Sequence, residues 1–262
     1  MHADVARLDL RLRRRSTLGY SLGMAAYVLV VVAIYPTFKN ETSLNDFTKN
    51  GSTLAALFGA TGSLTSPAGW MNANVYANFL PLVVLILTLG YGASCLAGQD
   101  EDGTLALVAT LPASRRSVLA QKVAALVLQA VPVALATLVL TLVGRSFDLR
   151  LAAGDVVGAT VGALLLGVDL GLVALLVGAL TGSRGTALGI ASAVAAASYL
   201  ISSLAPVTPW IRPLRFGSLF YWSTGSGQLG SGLTAGSVAV LVGTAVALTA
   251  AATWAFDRLD VH

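Results

Sequence analysis

Apolar residues fall in six blocks, at 18–36, 75–97, 123–143, 156–180, 186–205 and 236–256. Each is close to the roughly 20 apolar residues that one bilayer crossing needs. A backbone in lipid must satisfy its own hydrogen bonds, and blocks of this length do so as helices. The pattern predicts an all-α membrane protein with six transmembrane helices in one domain over residues 18–262. Polar residues mark the connections: a long one at 37–74, a charged one at 98–122, and short turns around Arg145–Asp155 and Ser183–Gly185. The stretch 54–58 in the first connection is apolar but too short to cross, so it is expected at the outer surface. Pro206, Pro209 and Pro213 stand among Trp210, Phe216, Phe220, Tyr221 and Trp222 before the last block, which reads as an aromatic segment at the membrane interface. Residues 1–17 read as an amphipathic interfacial helix, with Val5, Leu8 and Leu12 on one face and Arg7, Arg11 and Arg14 on another. The alternation of Leu8, Leu10 and Leu12 would also suit a strand, but a strand there has no partner.

Composition sharpens this picture. Of 262 residues 56% are hydrophobic and 11% charged, against about 25% charged in soluble domains. The net charge of +4 sits beside the spans and not on a soluble face, so it reads as topogenic and nucleic acid is not an expected partner. With the N-terminus inside, Arg7, Arg11, Arg13, Arg14, Arg15, Arg115, Arg116, Lys122, Arg184 and Arg258 are cytoplasmic. Lys39, Lys49, Arg145, Arg150, Arg212 and Arg215 are then outside. The cytoplasmic excess, concentrated ahead of the first span, predicts both termini in the cytoplasm and a multi-pass cell-membrane protein. The first span is expected to stay in the mature chain, because the stretch before it is too charged for a cleavable signal.

The candidate chemistry is sparse. One cysteine, Cys95, forms no disulfide or CxxC pair, and the two histidines, His2 and His262, lie at the extreme ends. No GxxxxGK[ST] loop exists to hold nucleotide phosphates. Catalytic and metal sites are therefore not expected, and an energy source would have to be a separate protein. No internal repeat relates the two halves, which argues against a repeat-built secondary carrier.

The informative segment is 99–122. Asp100, Glu101 and Asp102 favour the start of a helix through its macrodipole. The run from Thr104 to Leu111 places Leu105, Val108 and Leu111 on one side. Pro112 ends it, and Ser114 can cap the next helix. The result is a short cytosolic helix, acidic at its start and basic past its end, suited either to a protein partner or to lipid headgroups.

Glu101-x-Gly103-Thr104-Leu105-x-Leu107-x-x-x-Leu111-Pro112-x-Ser114-Arg115, with Lys122 seven residues on, resembles the signature of ABC-2 type permeases. These are the membrane subunits of ATP-binding-cassette exporters. Ala109 and Thr110 depart from the family's usual leucine and serine. Leu57-Phe58-Gly59 in the first loop is most similar to the subgroup that includes polyketide-antibiotic and multidrug exporters. The resemblance covers the whole chain and implies a coupling helix that docks on a separate ATPase. Glu101 would sit at that contact, Arg115 and Lys122 would anchor the loop, and Arg184 would add a shorter contact unless it only forms a tight turn. Residues 1–17 would be the connecting helix. Two ATPase subunits, carrying ATP and Mg2+, would drive two paired permease subunits, identical or different.

Polar residues inside the spans are candidates for a substrate pathway: Asp169 in the fourth, Gln129 in the third and Asn78 in the second. Asp169 costs about 2.5–3.5 kcal/mol at mid-span on insertion scales. It reads either as a substrate or proton contact or as a protonated or paired acid joining helices. Asn78 and Gln129 carry the same two readings. Gly158 and Gly162, then Gly167 and Gly171, read as close helix packing. The expected function is export of a lipophilic drug, antibiotic or lipid using the partner's ATP. The alternatives are a non-exporting membrane partner of an ATPase in protein maturation, and a proton-coupled carrier built on Asp169.

Overall fold

The computed structural model describes residues 4–41, 63–104, 114–225 and 228–258. All regular structure among them is helical, and six helices are long and apolar enough to cross a membrane. They are α1 (Asp4–Phe38), α2 (Pro67–Glu101), α3 (Arg115–Val143, extended by a 3-10 turn to Phe147), α4 (Ala153–Thr181), α5 (Arg184–Leu204) and α6 (Ala235–Asp257). The apolar stretch at 54–58, with Leu57, Phe58 and Gly59, lies outside the described residues.

Two helices form the centre. In α2 and α4, 67% of the apolar window is buried, against 28% in α1, 22% in α5 and 17% in α6. Helix α4 packs against α2, α3, α5 and α6, while α1 lies along α3. One apolar cluster joins Val28 and Tyr35 of α1 to Tyr76 and Leu80 of α2, Val133 of α3 and Val156 of α4. A second, at the opposite end of the bundle, gathers Ala6, Leu96, Leu119, Leu172 and Phe256, so α1 begins and α6 ends on the same side. A third links α2 and α4 to α5 through Leu85, Leu170, Ala187 and Ala191.

Helix α4 can be central because it is narrow. A Cβ on Gly92 would collide with the Gly171 carbonyl, one on Gly167 would collide with Val84, and one on Gly171 would lie 2.9 Å from Thr88 Cβ. Gly158 meets Leu233 in the same way, at 3.0 Å. The glycines thus bring the α2 and α4 backbones into contact, the arrangement by which membrane helices gain van der Waals energy. Replacing Gly171 with Leu is expected to destabilise by at least about 1–3 kcal/mol. Gly243, where an added Cβ would meet no other part of the protein within 4 Å, is the control. Thermal unfolding in detergent should separate the two leucine variants, and equal melting would contradict this account.

The N-terminal stretch is helical, as its periodicity predicts, but it does not form a separate piece. Helix α1 runs unbroken from Asp4 to Phe38, with its only proline at Pro36. Leu8 and Leu12 of the expected apolar face are exposed, at 54% and 72%, while Val5, Ala6 and Asp9 are buried. The buried side meets α3: Gln121 Oε1 accepts from the backbone N–H of Val5 (3.0 Å) and Ala6 (3.4 Å). A side chain of α3 thereby satisfies two of the orphan donors at the start of α1.

Helix α2 contains two π-helical turns, Asn72–Tyr76 and Ser94–Gly98. Tyr76 in the first reaches Thr141 of α3 (3.2 Å) and Thr160 of α4 (3.3 Å) with its hydroxyl. That is a buried polar brace across three helices. Beyond α5, the predicted aromatic segment packs Phe216, Tyr221 and Trp222 together, with the Arg215 guanidinium over the first two rings.

Candidate functional site

The segment 99–122 leaves the end of α2 and returns as α3. Its middle, with Leu105, Leu107, Leu111 and Pro112, lies outside the described residues; its two flanks are described. The expected helix from Thr104 to Leu111, with the acidic triplet ahead of it, lies beyond the described residues except for Thr104. Asp100 and Glu101 are the last residues of α2, and the chain turns at Asp102 and at Gly103, whose φ of +69° suits glycine. One of the acids also meets another helix start: Glu101 Oε1 accepts the backbone N–H of Arg184, the first residue of α5, at 2.8 Å. Thr104 Oγ1 donates to the Gln99 carbonyl at 3.2 Å. The Arg184 stem packs over Gly98, where an added Cβ would sit 3.4 Å from Arg184 Cδ. Glu101, Gly98 and Arg184 thus bring the start of the loop and the α4–α5 turn together.

The returning flank is also tied down. Ser114 is the N-cap of α3, accepting from Ser117 N–H at 3.2 Å. Arg115 donates to the Phe256 carbonyl at 3.0 Å and lies over the Phe256 ring. Arg116 pairs with Asp257 at 3.4 Å. Both cations fix the start of α3 to the end of α6.

Lys122 lies behind the loop, wholly buried, donating to Asp9 Oδ2 at 2.9 Å, Asp9 Oδ1 at 3.3 Å and, at the segment's other end, Gln99 Oε1 at 2.8 Å. Tyr91 O–H donates to the same Asp9 carboxylate at 2.6 Å. Arg13 donates to Ser94 Oγ and stacks over the Tyr91 ring. Asp9, Arg13, Tyr91, Gln99 and Gln121 are the residues sequence reasoning missed. The available signal was Asp9 within a basic stretch, where a lone acid suggests a partner.

The three intramembrane candidates do not form one cluster. Asn78 Oδ1 accepts from Tyr199 O–H at 2.8 Å, linking α2 to α5. Gln129 donates to the Leu87 carbonyl at 3.4 Å, a buried brace between α3 and α2. Asp169 is wholly buried at mid-α4, and neither carboxyl oxygen has a hydrogen-bond partner among the described residues. The paired form of that acid is thus not what the fold presents.

Asn78 and Tyr199 stand at a groove of about 600 Å3 between α2 and α5, otherwise lined by side chains such as Leu85, Leu89, Leu188 and Phe220. A second, almost wholly aliphatic groove of about 520 Å3 runs between α3, α4 and α6. No group of His, Cys, Asp and Glu among the described residues is placed to hold a metal ion.

A loop pinned at both flanks thus joins the second and third helices of a six-helix membrane bundle. No curated protein matches the chain. The family model described as ABC-2 family transporter protein matches residues 3–261. With nearly its whole length covered, this multi-pass membrane chain belongs to the ABC-2 family of transporter proteins, the membrane component of ABC transporters that works with an ATP-binding subunit.

Proposed function

We propose that the chain is the permease subunit of an ATP-driven exporter in the cytoplasmic membrane, of the antibiotic- and multidrug-exporter type. Both termini face the cytosol, two such subunits pair, and two ATPase subunits dock on residues 99–122 and on the Arg184 turn. The ATPases bind ATP and Mg2+; this chain supplies the path and the coupling surface. The observation that supports the reading is the double pinning of the loop. Glu101 ties its start to α5, and Ser114 and Arg115 tie its end to α3 and α6. A docking element held in this way moves the helices it is attached to.

The cargo is a lipophilic molecule following the groove between α2 and α5. That groove is apolar apart from Asn78, Ser192 and Tyr199, a lining suited to apolar ligands oriented by few polar contacts. The test is purification of the wild-type chain with any ATPase that associates with it, followed by ATP hydrolysis and extrusion of the lipophilic dye Hoechst 33342 from proteoliposomes. Association, hydrolysis and ATP-dependent extrusion are expected. ATP turnover without extrusion of any lipophilic probe would favour a role in protein maturation. Extrusion without ATP, lost in Asp169→Asn, would replace the proposal with a proton-coupled carrier.

A further inference from the structure

Both flanks of the docking loop are fastened to the same short piece of α1. Ahead of the loop, Tyr91 donates to Asp9, and Ser94 takes a hydrogen bond from Arg13. Behind it, Lys122 is paired with Asp9, and Gln121 holds the backbone N–H groups of Val5 and Ala6. Lys122 also grips Gln99, so the two ends of the loop meet each other at the same ammonium group. Residues 5–13 of α1 are therefore connected to the chain on either side of the loop.

The central pair is ionic and buried, with side-chain exposures of 0% for Lys122 and 6% for Asp9. Burying such a pair rarely adds stability over apolar side chains of the same volume. What it does supply is directionality: an ammonium group that must face one carboxylate and one amide oxygen fixes α1, the end of α2 and the start of α3 in one register. Beside it lies a cavity of about 450 Å3, lined by Asp4, Arg7, Leu8 and Arg11 as well as Asp9, Gln99 and Lys122. The first turns of α1 are held by these polar contacts together with the apolar packing of Ala6 and Leu10.

We propose that Asp9 and Lys122 are a positioning pair that makes the N-terminal third of α1 move as one body with the docking loop. The ATPase stroke thereby enters the membrane through α1 as well as through α2 and α3. The proposal rests on the docking role given to the loop above. Neither residue touches cargo or nucleotide; both act through the elements they join.

The experiment uses the complex with its co-purifying ATPase, with Cys95→Ala as background and spin labels on exposed Leu12 of α1 and exposed Leu180 at the end of α4. Their separation is measured by electron–electron double resonance without nucleotide and after trapping with ATP and vanadate. In the otherwise wild-type chain trapping should shift the distance by at least ~1–2 Å, the scale of helix displacements at switching interfaces. The neutral pair Asp9→Asn with Lys122→Met should keep ATP hydrolysis and lose the shift, and the exchanged pair Asp9→Lys with Lys122→Asp should recover it. Gln121→Leu, which frees only the first turn of α1, should reduce the shift, and it carries the test if the neutral pair does not assemble. A shift retained in the neutral pair, or in Gln121→Leu where that stands in, overturns the proposal. So does loss of ATPase binding in the neutral pair, which would make these residues part of the docking surface itself. Hydrolysis by the wild-type complex with no movement at Leu12 overturns it while leaving the exporter reading in place. Absence of any associated ATPase overturns both.

Discussion

Lys122→Met alone is expected to lower stability by about 3–5 kcal/mol, because it leaves the Asp9 carboxylate buried without its counter-charge. Tyr91 would still donate to Asp9 at 2.6 Å, but one neutral hydroxyl does not replace an ammonium group. Unfolding in detergent, followed by heat or denaturant, reads the loss directly. Adding Asp9→Asn to the same chain should recover most of it, since the cost comes from the stranded charge and not from the missing methylenes. The Arg116–Asp257 pair gives the internal contrast. Its side chains are 78% and 38% exposed, and exposed pairs contribute about 0–1 kcal/mol, so Arg116→Met should change melting little. A Lys122→Met chain that melts like the Arg116→Met chain would show that the Asp9 site is open to water.

Glu101→Arg should have the opposite profile, with small consequences for stability and large ones for coupling. Glu101 is exposed, and its contact with the α5 N-terminus contributes at most about 1 kcal/mol as a carboxylate at the positive end of a helix dipole. Reversal places a guanidinium group against that same positive end and beside Arg184. The bridge between the loop's start and α5 is then broken while the bundle remains inserted. ATP-dependent dye extrusion should fall by about tenfold or more relative to ATP hydrolysed, within the usual range of coupling free energies between sites. Extrusion per ATP equal to wild type would remove Glu101 from the coupling path.

The six spans were legible because each is a long apolar block, a signal that depends on local composition alone. The Gly167–Gly171 pair of α4 was legible for a related reason: small residues four apart point to close packing wherever their partner lies. The Asp9–Lys122 pair was not, since its members are 113 residues apart, and nothing local distinguishes Lys122 from a cation that stays in water. Leucine periodicity likewise picks out Leu8 and Leu12 as an apolar face but says nothing of the residues of α1 that meet Gln121 and Lys122 on another helix. The contact of Glu101 with the start of α5 was not legible either, since it is reached through space and not along the chain. Around the loop, local physics was readable and long-range pairing was not.

The π-turn at Ser94–Gly98 has a geometric consequence. A π-turn takes up one residue more than an α-helical turn, whereas each residue of a regular α-helix advances the chain by about 100°. The wide turn absorbs that extra residue, so Gln99 and Glu101 keep the heading they would have on an unbroken helix one residue shorter. A residue added to α2 without such a turn would swing Gln99 off Lys122 and Glu101 away from α5 by about a quarter of a revolution. The heading of the docking loop thus depends on the width of one turn of α2 a few residues before it, apart from the core that anchors the helix.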